Sequence, residues 1–272
     1  VYGSWNQNLS KATNLVFSAR EDLYIGEGSR ESAFLPQVQV LSRLNTISSV
    51  YASVGKAFKM PTFRNLHYKS SMIVDNPNLK PESGWNYEIG YKYEKASERL
   101  NVALFRTDLE NQIISIKRAD LGANISQSIN AAKYKNIGLE ANYEKQLDDN
   151  FSYNVGFTVS NPERKIDSNS EWIRAMGRYQ IATGLNYLNK DTTANLSLSY
   201  WGDRVYTVTK NNTKIAERIS SPLLVSNLNI GHRLSKDLTL NVGIDNIFDR
   251  KDISNADTGS SLYYTLGRTF KV

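Results

Sequence analysis

Residues 83–95, SGWNYEIGYKYEK, decide the fold class, because apolar and polar side chains alternate along almost the whole stretch. One set of alternate positions holds Trp85, Tyr87, Ile89, Tyr91 and Tyr93, and the positions between them are polar or glycine. Strict alternation is the pattern of a β-strand with one apolar and one polar face. The stretch is also longer than an ordinary strand of about five or six residues. It therefore predicts a long strand with two unlike faces.

The same period of two recurs along the chain, and no helical period competes with it. We predict about thirteen strands from this pattern. They lie near residues 2–9, 12–25, 34–44, 46–59, 84–96, 99–116, 132–147, 150–161, 172–189, 192–208, 221–235, 237–249 and 261–272. A tilted strand needs about 9–11 residues to cross a bilayer, and many of these are that long. The mean hydropathy of −0.46 fits membrane strands, since alternation averages to a polar value.

The predicted connections alternate strictly between short and long. The short ones are 8–13, 44–47, 95–99, 147–150, 189–192 and 234–237, and the long ones are 25–34, 60–83, 117–131, 162–171, 209–220 and 250–260. A soluble β-protein with a tyrosine-rich core, the alternative, has no reason to sort its connections by length. Tight turns at one end and long loops at the other are typical of an antiparallel up-and-down transmembrane β-barrel. This all-β fold is our prediction.

The amino-acid composition and the absence of known catalytic motifs limit the kinds of site that the chain can form. The chain has no cysteine, which excludes disulfides and thiolate metal sites. Its two histidines, His67 and His232, are far apart, so no metal site is predicted. A net charge of +6 suits an acidic ligand or anionic lipopolysaccharide; nucleic acid is not among the partners that we expect. No phosphate loop, HExxH or G-x-S-x-G motif is present, so no catalytic residue and no enzymatic activity are predicted.

Five motifs give the chain a family resemblance. They are GKAFKMPTFRNLHY (55–68) followed by NPNLKPESGWNYEIGYKY (76–93), LFRTDLENQIISI (104–116), NAAKYKNIGLEANYE (130–144), VGIDNIFDRKD (242–252) and YYTLGRTFKV (263–272). In this order they resemble the C-terminal barrel of TonB-dependent outer-membrane receptors. Residues 1–49 match by strand pattern alone.

The resemblance implies a location, a partner and a function. Family members have a 22-stranded barrel of the bacterial outer membrane, plugged by an N-terminal domain. They import scarce ligands such as ferric siderophores, haem or cobalamin, and TonB supplies the energy through a short N-terminal segment. We therefore expect residues 1–272 to be a C-terminal part of such a barrel, with the plug and the TonB-contacting segment outside this chain. Outer-membrane lipid and lipopolysaccharide would surround it.

The ligand-binding prediction falls on the long loop 60–83. The family binds ligand with such loops, and Arg64, His67, Tyr68 and Lys69 suit an anionic, aromatic ligand through charge pairing and stacking. Alternatively, the loop folds on its neighbours and Arg64 pairs with an acidic residue of the wall. Haem receptors of the family carry a histidine between similar motifs, so haem ligation by His67 is a second alternative. Haem would then be the transported ligand, and no cofactor is predicted.

A proline-rich stretch, NPNLKPE (76–82), precedes the strand quoted first. Two prolines this close exclude a helix or a strand interior. We predict that the motif is a structural clamp at the barrel rim, in which asparagines form turns, a leucine packs the loop down and a glutamate accepts hydrogen bonds from a neighbouring strand. Its residues are Asn76, Pro77, Asn78, Leu79, Pro81 and Glu82.

The function predicted from the sequence is TonB-energised import of a scarce ligand, most readily a ferric siderophore. A haem or cobalamin receptor of the same family is the first alternative. A passive porin is the second, and a surface adhesin or a receptor for phage or colicin is the third.

Overall fold

The computed structural model describes residues 1–26, 29–118, 120–122, 125–167, 169–210, 213–219, 221–256 and 262–272. Nearly all of its regular structure is β. The strands are β1 (Tyr2–Asn8), β2 (Thr13–Gly26), β3 (Ser29–Arg43), β4 (Ser48–Lys59), β5 (Ile73–Val74), β6 (Glu82–Lys95), β7 (Glu98–Lys117), β8 (Ser126–Gln146), β9 (Phe151–Ser160), β10 (Glu163–Lys165), β11 (Ile173–Arg174), β12 (Tyr179–Leu188), β13 (Thr192–Gly202), β14 (Val205–Lys210), β15 (Thr213–Arg218), β16 (Leu223–Ser235), β17 (Leu238–Asp245), β18 (Ile253–Ala256), β19 (Leu262–Tyr264) and β20 (Thr269–Lys271). One helical turn, α1, spans Phe63–His67.

Within the described ranges, one sheet runs through thirteen strands that pair antiparallel with their neighbours along the chain. Its order is β1-β2-β3-β4-β6-β7-β8-β9-β12-β13-β16-β17-β20, with β5, β10 and β11 attached at its side. The pairs β14–β15 and β18–β19 form separate hairpins. The predicted number of strands and the antiparallel, sequential order are confirmed. No pairing joins β1 to β20 in the part of the chain that is described, so the sheet is an open portion of a barrel wall.

Several predicted boundaries differ from the structure. Strand β3 begins at Ser29 and β8 at Ser126, within the connections predicted at 25–34 and 117–131, so these two connections are shorter than predicted. Left-handed residues account for two further differences. The strand predicted at 192–208 ends at Gly202, because Asp203 has φ 49°. The strand predicted at 237–249 ends at Asp245, because Asn246 and Asp249 both have positive φ. Non-glycine residues with positive φ are uncommon inside regular strands, and here they coincide with the ends of these two strands.

Two more differences concern predicted strands that the structure divides. The stretch 172–189 separates into the short β11 and a strand that begins only at Tyr179. The stretch 261–272 contains the short β19 and β20, and position 261 lies outside the described residues.

Register keeps the apolar side chains on one face across many strands. Directly paired residues of antiparallel neighbours project to the same side of a sheet. One such row crosses eight strands and consists of Val50, Tyr91, Val102, Ala141, Phe157, Ile181, Tyr200 and Leu224. Ile89, Leu104 and Ile137 on the same face are 57%, 54% and 60% exposed. A contiguous exposed apolar face of this extent is the surface that a barrel turns toward hydrocarbon.

The short connections are built on side chains that accept backbone hydrogen bonds. Asp148 Oδ1 accepts from the amides of Asn150 and Phe151, each at 2.8 Å. Asn189 Oδ1 accepts in the same way from Asp191 at 3.0 Å and Thr192 at 2.9 Å. Aspartate and asparagine favour tight turns because they satisfy the turn amides locally. No helix in the described part of the chain has the length and apolar character to cross a membrane.

The opposite, polar face carries one close-packed joint between β4 and β6. The Tyr51 ring lies over Gly90, its hydroxyl is 2.5 Å from Glu88 Oε1, and Lys92 Nζ is 4.8 Å from the ring centre. A Cβ at Gly90 would come within 2.5 Å of the ring, and Tyr51 is only 8% exposed. The glycine is therefore required by the close approach of the tyrosine.

We expect Gly90→Ala to destabilise the folded barrel by about 1–3 kcal/mol, since the added methyl group displaces the Tyr51 ring from a packed position. The denaturant midpoint of the full-length protein in detergent measures this change. Gly3→Ala is the matched control, because nothing lies within 4 Å of a Cβ at Gly3. Equal midpoints for the two variants would show that the joint contributes nothing.

Candidate functional site

The segment between β4 and β6 begins with a capped helical turn. Thr62 is the N-cap of α1: its hydroxyl accepts from the Asn65 amide at 3.2 Å, and the Asn65 side chain accepts from the Thr62 amide at 3.2 Å. This reciprocal pair is a capping box, which satisfies amides that a helix start leaves free. One turn of helix is thereby held at the top of a long loop, although an isolated turn is unstable by itself.

The returning half of the same loop is anchored along β8. Strand β5 pairs parallel with Ser126 and Gln127, and the Gln127 side-chain amide donates to the Asp75 carbonyl at 2.8 Å. Asn130 accepts from the Lys80 amide at 2.7 Å and donates to the Lys80 carbonyl at 2.7 Å. It also donates to the carbonyl of Asn111 at 2.9 Å. A single side chain therefore joins the loop to both strands of the β7–β8 hairpin.

Three residues of the NPNLKPE motif, Asn76, Lys80 and Glu82, hydrogen-bond to the β7–β8 hairpin. The Asn76 side chain accepts from the Asn78 amide at 3.2 Å and donates to the Ser128 carbonyl at 2.9 Å. Pro77 and Asn78 form a turn, Leu79 is 5% exposed, and Pro81 directly precedes β6. These contacts attach the motif to the β7–β8 hairpin.

Glu82 satisfies an amide at the neighbouring bulge. The register of β7 against β8 shifts between Leu109 and Ile113, where Asn111 has φ 55°. Glu82 Oε1 accepts from the Ile113 amide at 2.9 Å, and Lys59 Nζ is 3.9 Å from the same oxygen. The carboxylate thus gives an acceptor to an amide next to the irregular part of the ladder.

The apex of the loop displays aromatic and cationic side chains together. The Arg64 guanidinium carbon is 4.9 Å from the centre of the Tyr68 ring. The rings of Phe63 and His67 are 4.9 Å apart at an interplanar angle of 47°. Phe63 is 80% exposed and Met72 is 60% exposed. We call residues 63–72 the apex.

The structure brings three of the four predicted ligand-binding residues together. Arg64, His67 and Tyr68 lie on or next to α1, whereas Lys69 is paired with Asp75 at 3.2 Å. Arg64 stacks on Tyr68, which differs from the predicted alternative of a pair with an acidic wall residue. Phe63 and Met72 were not predicted; the i, i+4 spacing of Phe63 and His67 is the signal that would have found Phe63.

Histidine placement bears on the haem alternative. His67 has a ring contact with Phe63, and His232 Nδ1 is 2.8 Å from Thr192 Oγ1 at a short turn. Among the described residues, no group of three or more histidine, aspartate or glutamate side chains is arranged to hold a metal ion. Haem ligation by His67 stays a prediction.

A second cluster anchors the loops that follow β13 and β17. Asp252 accepts from Arg250 at 2.8 and 2.9 Å and from the Leu224 amide at 2.9 Å. Arg204, 7% exposed, donates to the carbonyls of Ile253 and Ser254. Hydrogen bonds from Arg250 and the Leu224 amide, with the charges of both arginines, hold the pKa of Asp252 below its ordinary value.

Comparison with known proteins identifies the fold family. The family described as "TonB dependent receptor-like, beta-barrel" matches residues 1–247. The chain belongs to this family. The match includes the first 49 residues, which the sequence motifs did not reach, and stops before the last loop and strands of this TonB-dependent receptor barrel.

Curated relatives of this receptor barrel are transporters and receptors. The vitamin B12 transporter BtuB of Vibrio vulnificus is 25% identical over 219 residues, which cover 80% of this chain and 33% of that protein. The ferric enterobactin receptor PirA of Pseudomonas aeruginosa is 22% identical over 300 residues, which cover all of this chain and 40% of that protein. The chain thus spans well under half of the relatives it matches.

Solved structures show the same fold. The siderophore receptor PirA of Acinetobacter baumannii superposes with a TM-score of 0.76 at 19% identity, over 99% of this chain and 44% of that one. The transmembrane-barrel fold class predicted from alternation and loop lengths is therefore confirmed for this receptor barrel.

Asn130→Ala should loosen the loop while leaving the barrel of the receptor folded, because it removes three hydrogen bonds at the anchor. We expect the free energy of local opening across residues 72–82 to fall by about 1–3 kcal/mol, measured by amide hydrogen exchange. Asn189→Ala, which removes a turn acceptor at the opposite end, should leave this segment unchanged. Full protection of residues 72–82 in Asn130→Ala would contradict the anchor.

Asp252→Asn should lower the free energy of local opening around residues 250–254 by about 1–3 kcal/mol, because it removes a buried ion pair with Arg250. The pKa of Asp252 is lower in the folded state than in the unfolded state. The stability that the Asp252 carboxylate contributes is therefore fully present above the ordinary aspartate pKa of about 3.9, and it is lost as the pH falls below that value. Hydrogen exchange from pH 7 downward, compared with the exposed control Asp237→Asn, checks this. Wild-type protection in Asp252→Asn at pH 7 would contradict it.

Proposed function

We propose that this chain is a C-terminal part of an outer-membrane receptor barrel that imports a ferric siderophore with energy from TonB. The main support for this proposal is the apex. There the Arg64 guanidinium stacks on the Tyr68 ring and the Phe63 ring contacts His67, at the end of the barrel that has the long connections. Cationic and aromatic side chains together suit a ligand that is both anionic and aromatic. Iron-binding catecholates have both properties.

The relatives support this ligand class. Two of them are named ferric enterobactin receptors and one is named a ferripyoverdine receptor, all from Pseudomonas aeruginosa. Among the solved structures with this fold are ferric enterobactin receptors of the same species. The net charge of +6 favours an anionic cargo over a neutral one.

The parts that complete the transporter would lie in the rest of the protein. A plug domain and a TonB-contacting segment would precede this chain, and further strands would close the barrel. The long loops would face the outside of the cell and the short turns the periplasm. Outer-membrane lipid and lipopolysaccharide would contact the apolar face and its rim. Transport, without chemical conversion of the ligand, is the activity that we propose.

Cobalamin is the second candidate ligand, because a vitamin B12 transporter is among the relatives at 25% identity. Haem is a further alternative that depends on His67, whose ring lies beside Phe63 at the exposed apex. A passive porin would need neither the apex nor TonB. The three ligands and the porin give different results in one uptake experiment.

The experiment measures binding and uptake of ferric enterobactin, haem and cobalamin by cells that express the full-length receptor. We expect saturable, TonB-dependent uptake of the ferric siderophore. Arg64→Ala should weaken its binding about tenfold, since one cation–aromatic contact of a desolvated ligand contributes about 1–2 kcal/mol. The apparent Kd from a binding titration on whole cells checks this value.

Lys190→Ala is the control, because it removes an exposed cation in a short turn at the opposite end. Uptake that is unaffected by loss of TonB would favour a porin. Saturable uptake of cobalamin or haem with no ferric siderophore uptake would overturn the proposed ligand. An unchanged Kd in Arg64→Ala would remove the apex from the binding surface.

A further inference from the structure

The polar face of the wall, which a barrel turns toward its lumen, has two sectors of unlike charge. On β6, β7 and β8 this face carries four carboxylates and two cations, and all of these side chains are exposed. They are Glu88, Glu94, Glu140 and Glu144, with Lys92 and Arg99. We call this part of the polar face the charged sector.

The rows of paired residues that carry these charges continue onto β9, β12, β13 and β16 without any charge. The row of Arg99 and Glu144 runs on through Asn154, Gly184, Ser197 and Asn227. The row of Lys92 runs on through Asn101, Asn142, Gly156, Ala182 and Ser199. Every position on the polar face within 152–160, 180–186, 193–201 and 223–231 is uncharged. We call these positions the amide sector, after their asparagines.

Asparagine side chains of the amide sector lie flat against the backbone of a neighbouring strand. Asn154 pairs directly with Gly184, and a Cβ at Gly184 would come within 2.7 Å of Asn154 Oδ1. Asn229 pairs with Gly243, where the corresponding distance is 2.9 Å. Each amide thus occupies the space that the glycine leaves free. The wall is therefore thinner here than in the charged sector, whose glutamate, lysine and arginine side chains are long.

The same amides hydrogen-bond to one another along the wall. Asn195 Nδ2 donates to Asn186 Oδ1 at 2.7 Å, and Asn186 Nδ2 is 3.5 Å from Asn154 Oδ1. These contacts run across β13, β12 and β9 and keep the side chains close to the sheet. The surface that the amide sector presents to the lumen is polar, uncharged and low.

Charge decides which sector suits an anionic cargo. Carboxylates repel an anion through the water of the lumen, so the excess of carboxylates in the charged sector opposes its approach. A wall along which a ligand moves must also bind it weakly enough to release it. The amide sector meets both conditions, because its neutral dipoles neither repel an anion nor hold it as strongly as a cationic side chain does.

We propose that the amide sector is the wall of the passage along which the anionic cargo crosses the barrel beside the plug. This inference rests on the proposed function, from which the plug and the charge of the cargo are taken. The plug contacts the charged sector, where long charged side chains can pair with those of another domain. The thin, neutral side of the lumen is left to the cargo.

The first test measures the initial rate of ferric enterobactin uptake by cells that express the full-length receptor. Ser197→Asp/Ser199→Asp places two carboxylates on the amide sector and should lower this rate about tenfold, because like charges repel. The apparent Kd for binding at the cell surface should stay at the wild-type value, since the long loops are untouched.

Two matched variants separate charge from size and from position. Ser197→Asn/Ser199→Asn adds the bulk of aspartate without its charge and should keep the wild-type rate. Ser49→Asp/Ser53→Asp adds the same charges at the same spacing on the polar face of β4, in register with Lys92 and Glu88, and should keep it as well. A wild-type rate in Ser197→Asp/Ser199→Asp, or an equal loss in either control, would overturn the proposal.

Heat-modifiable migration on gels shows whether each variant has folded. Should a double variant fail to fold, Ser197→Asp is compared with Ser49→Asp. About a threefold loss of uptake rate in Ser197→Asp alone supports the passage, and equal rates refute it.

The second test needs no cargo. The chain has no cysteine, so Ser197→Cys and Ser53→Cys each place a single thiol in this part of the full-length receptor. Both serines have intermediate exposure in the wall. A neutral maleimide should modify position 197 about tenfold faster than position 53, because the plug covers the charged sector and limits access to the thiol beside it.

The two tests fail in different ways. Absence of ferric enterobactin uptake by the wild type would overturn the proposed ligand and leave the thiol comparison to decide the passage. Modification of position 197 that is no faster than that of position 53 would overturn the passage, whatever ligand the receptor imports.

Discussion

From β1 to β17 the register of the paired strands keeps the apolar side chains on one face of the wall and the polar side chains on the other. A slip of one residue in any strand would move its apolar side chains to the polar side. Among the described pairings of the main path, the register shifts only between Leu109 and Ile113 and between Arg233 and Ser235, which lie at opposite ends of the strands. The middle of the wall, where an apolar band must be continuous, is free of such irregularities.

The shift near Asn111 links the register to the loop that displays the apex. Beyond this bulge, β7 and β8 extend as a hairpin past the end of β6, and that extension provides Ser126–Asn130 as a docking edge for the loop. Glu82 accepts the Ile113 amide beside the bulge, and Asn130 donates to the carbonyl of Asn111 itself. The loop and the bulge therefore stabilise each other, since each supplies hydrogen-bonding partners that the other lacks.

The strands could be predicted from the sequence, because the alternation of apolar and polar residues follows directly from side chains pointing to opposite faces of a strand. The strand quoted first was predicted at 84–96 and spans Glu82–Lys95. Boundaries set by a left-handed residue, such as Asp203, were missed because alternation continues in the letters after the backbone has turned. The contact of Lys69 with Asp75 and the stacking of Arg64 on Tyr68 depend on the path of the loop in space, which no periodic pattern encodes. The ligand-binding role of these residues is still a prediction.

The division of the loop into an anchored half and a displayed half has an evolutionary consequence. Residues 76–82 and β5 are attached to β8 by hydrogen bonds of the backbone and of asparagine and glutamine side chains. The side chains of Phe63 and Met72 make no demand on that attachment, and both are exposed. If the protein imports a ligand as proposed, these two side chains can be replaced to suit another ligand while the hydrogen bonds that attach the loop to the barrel are kept. Under the proposed function, a change of siderophore would be followed by substitutions of the exposed side chains at positions 63 and 72, whereas Asn65, whose side chain donates to Ser128 Oγ, would stay with the anchor.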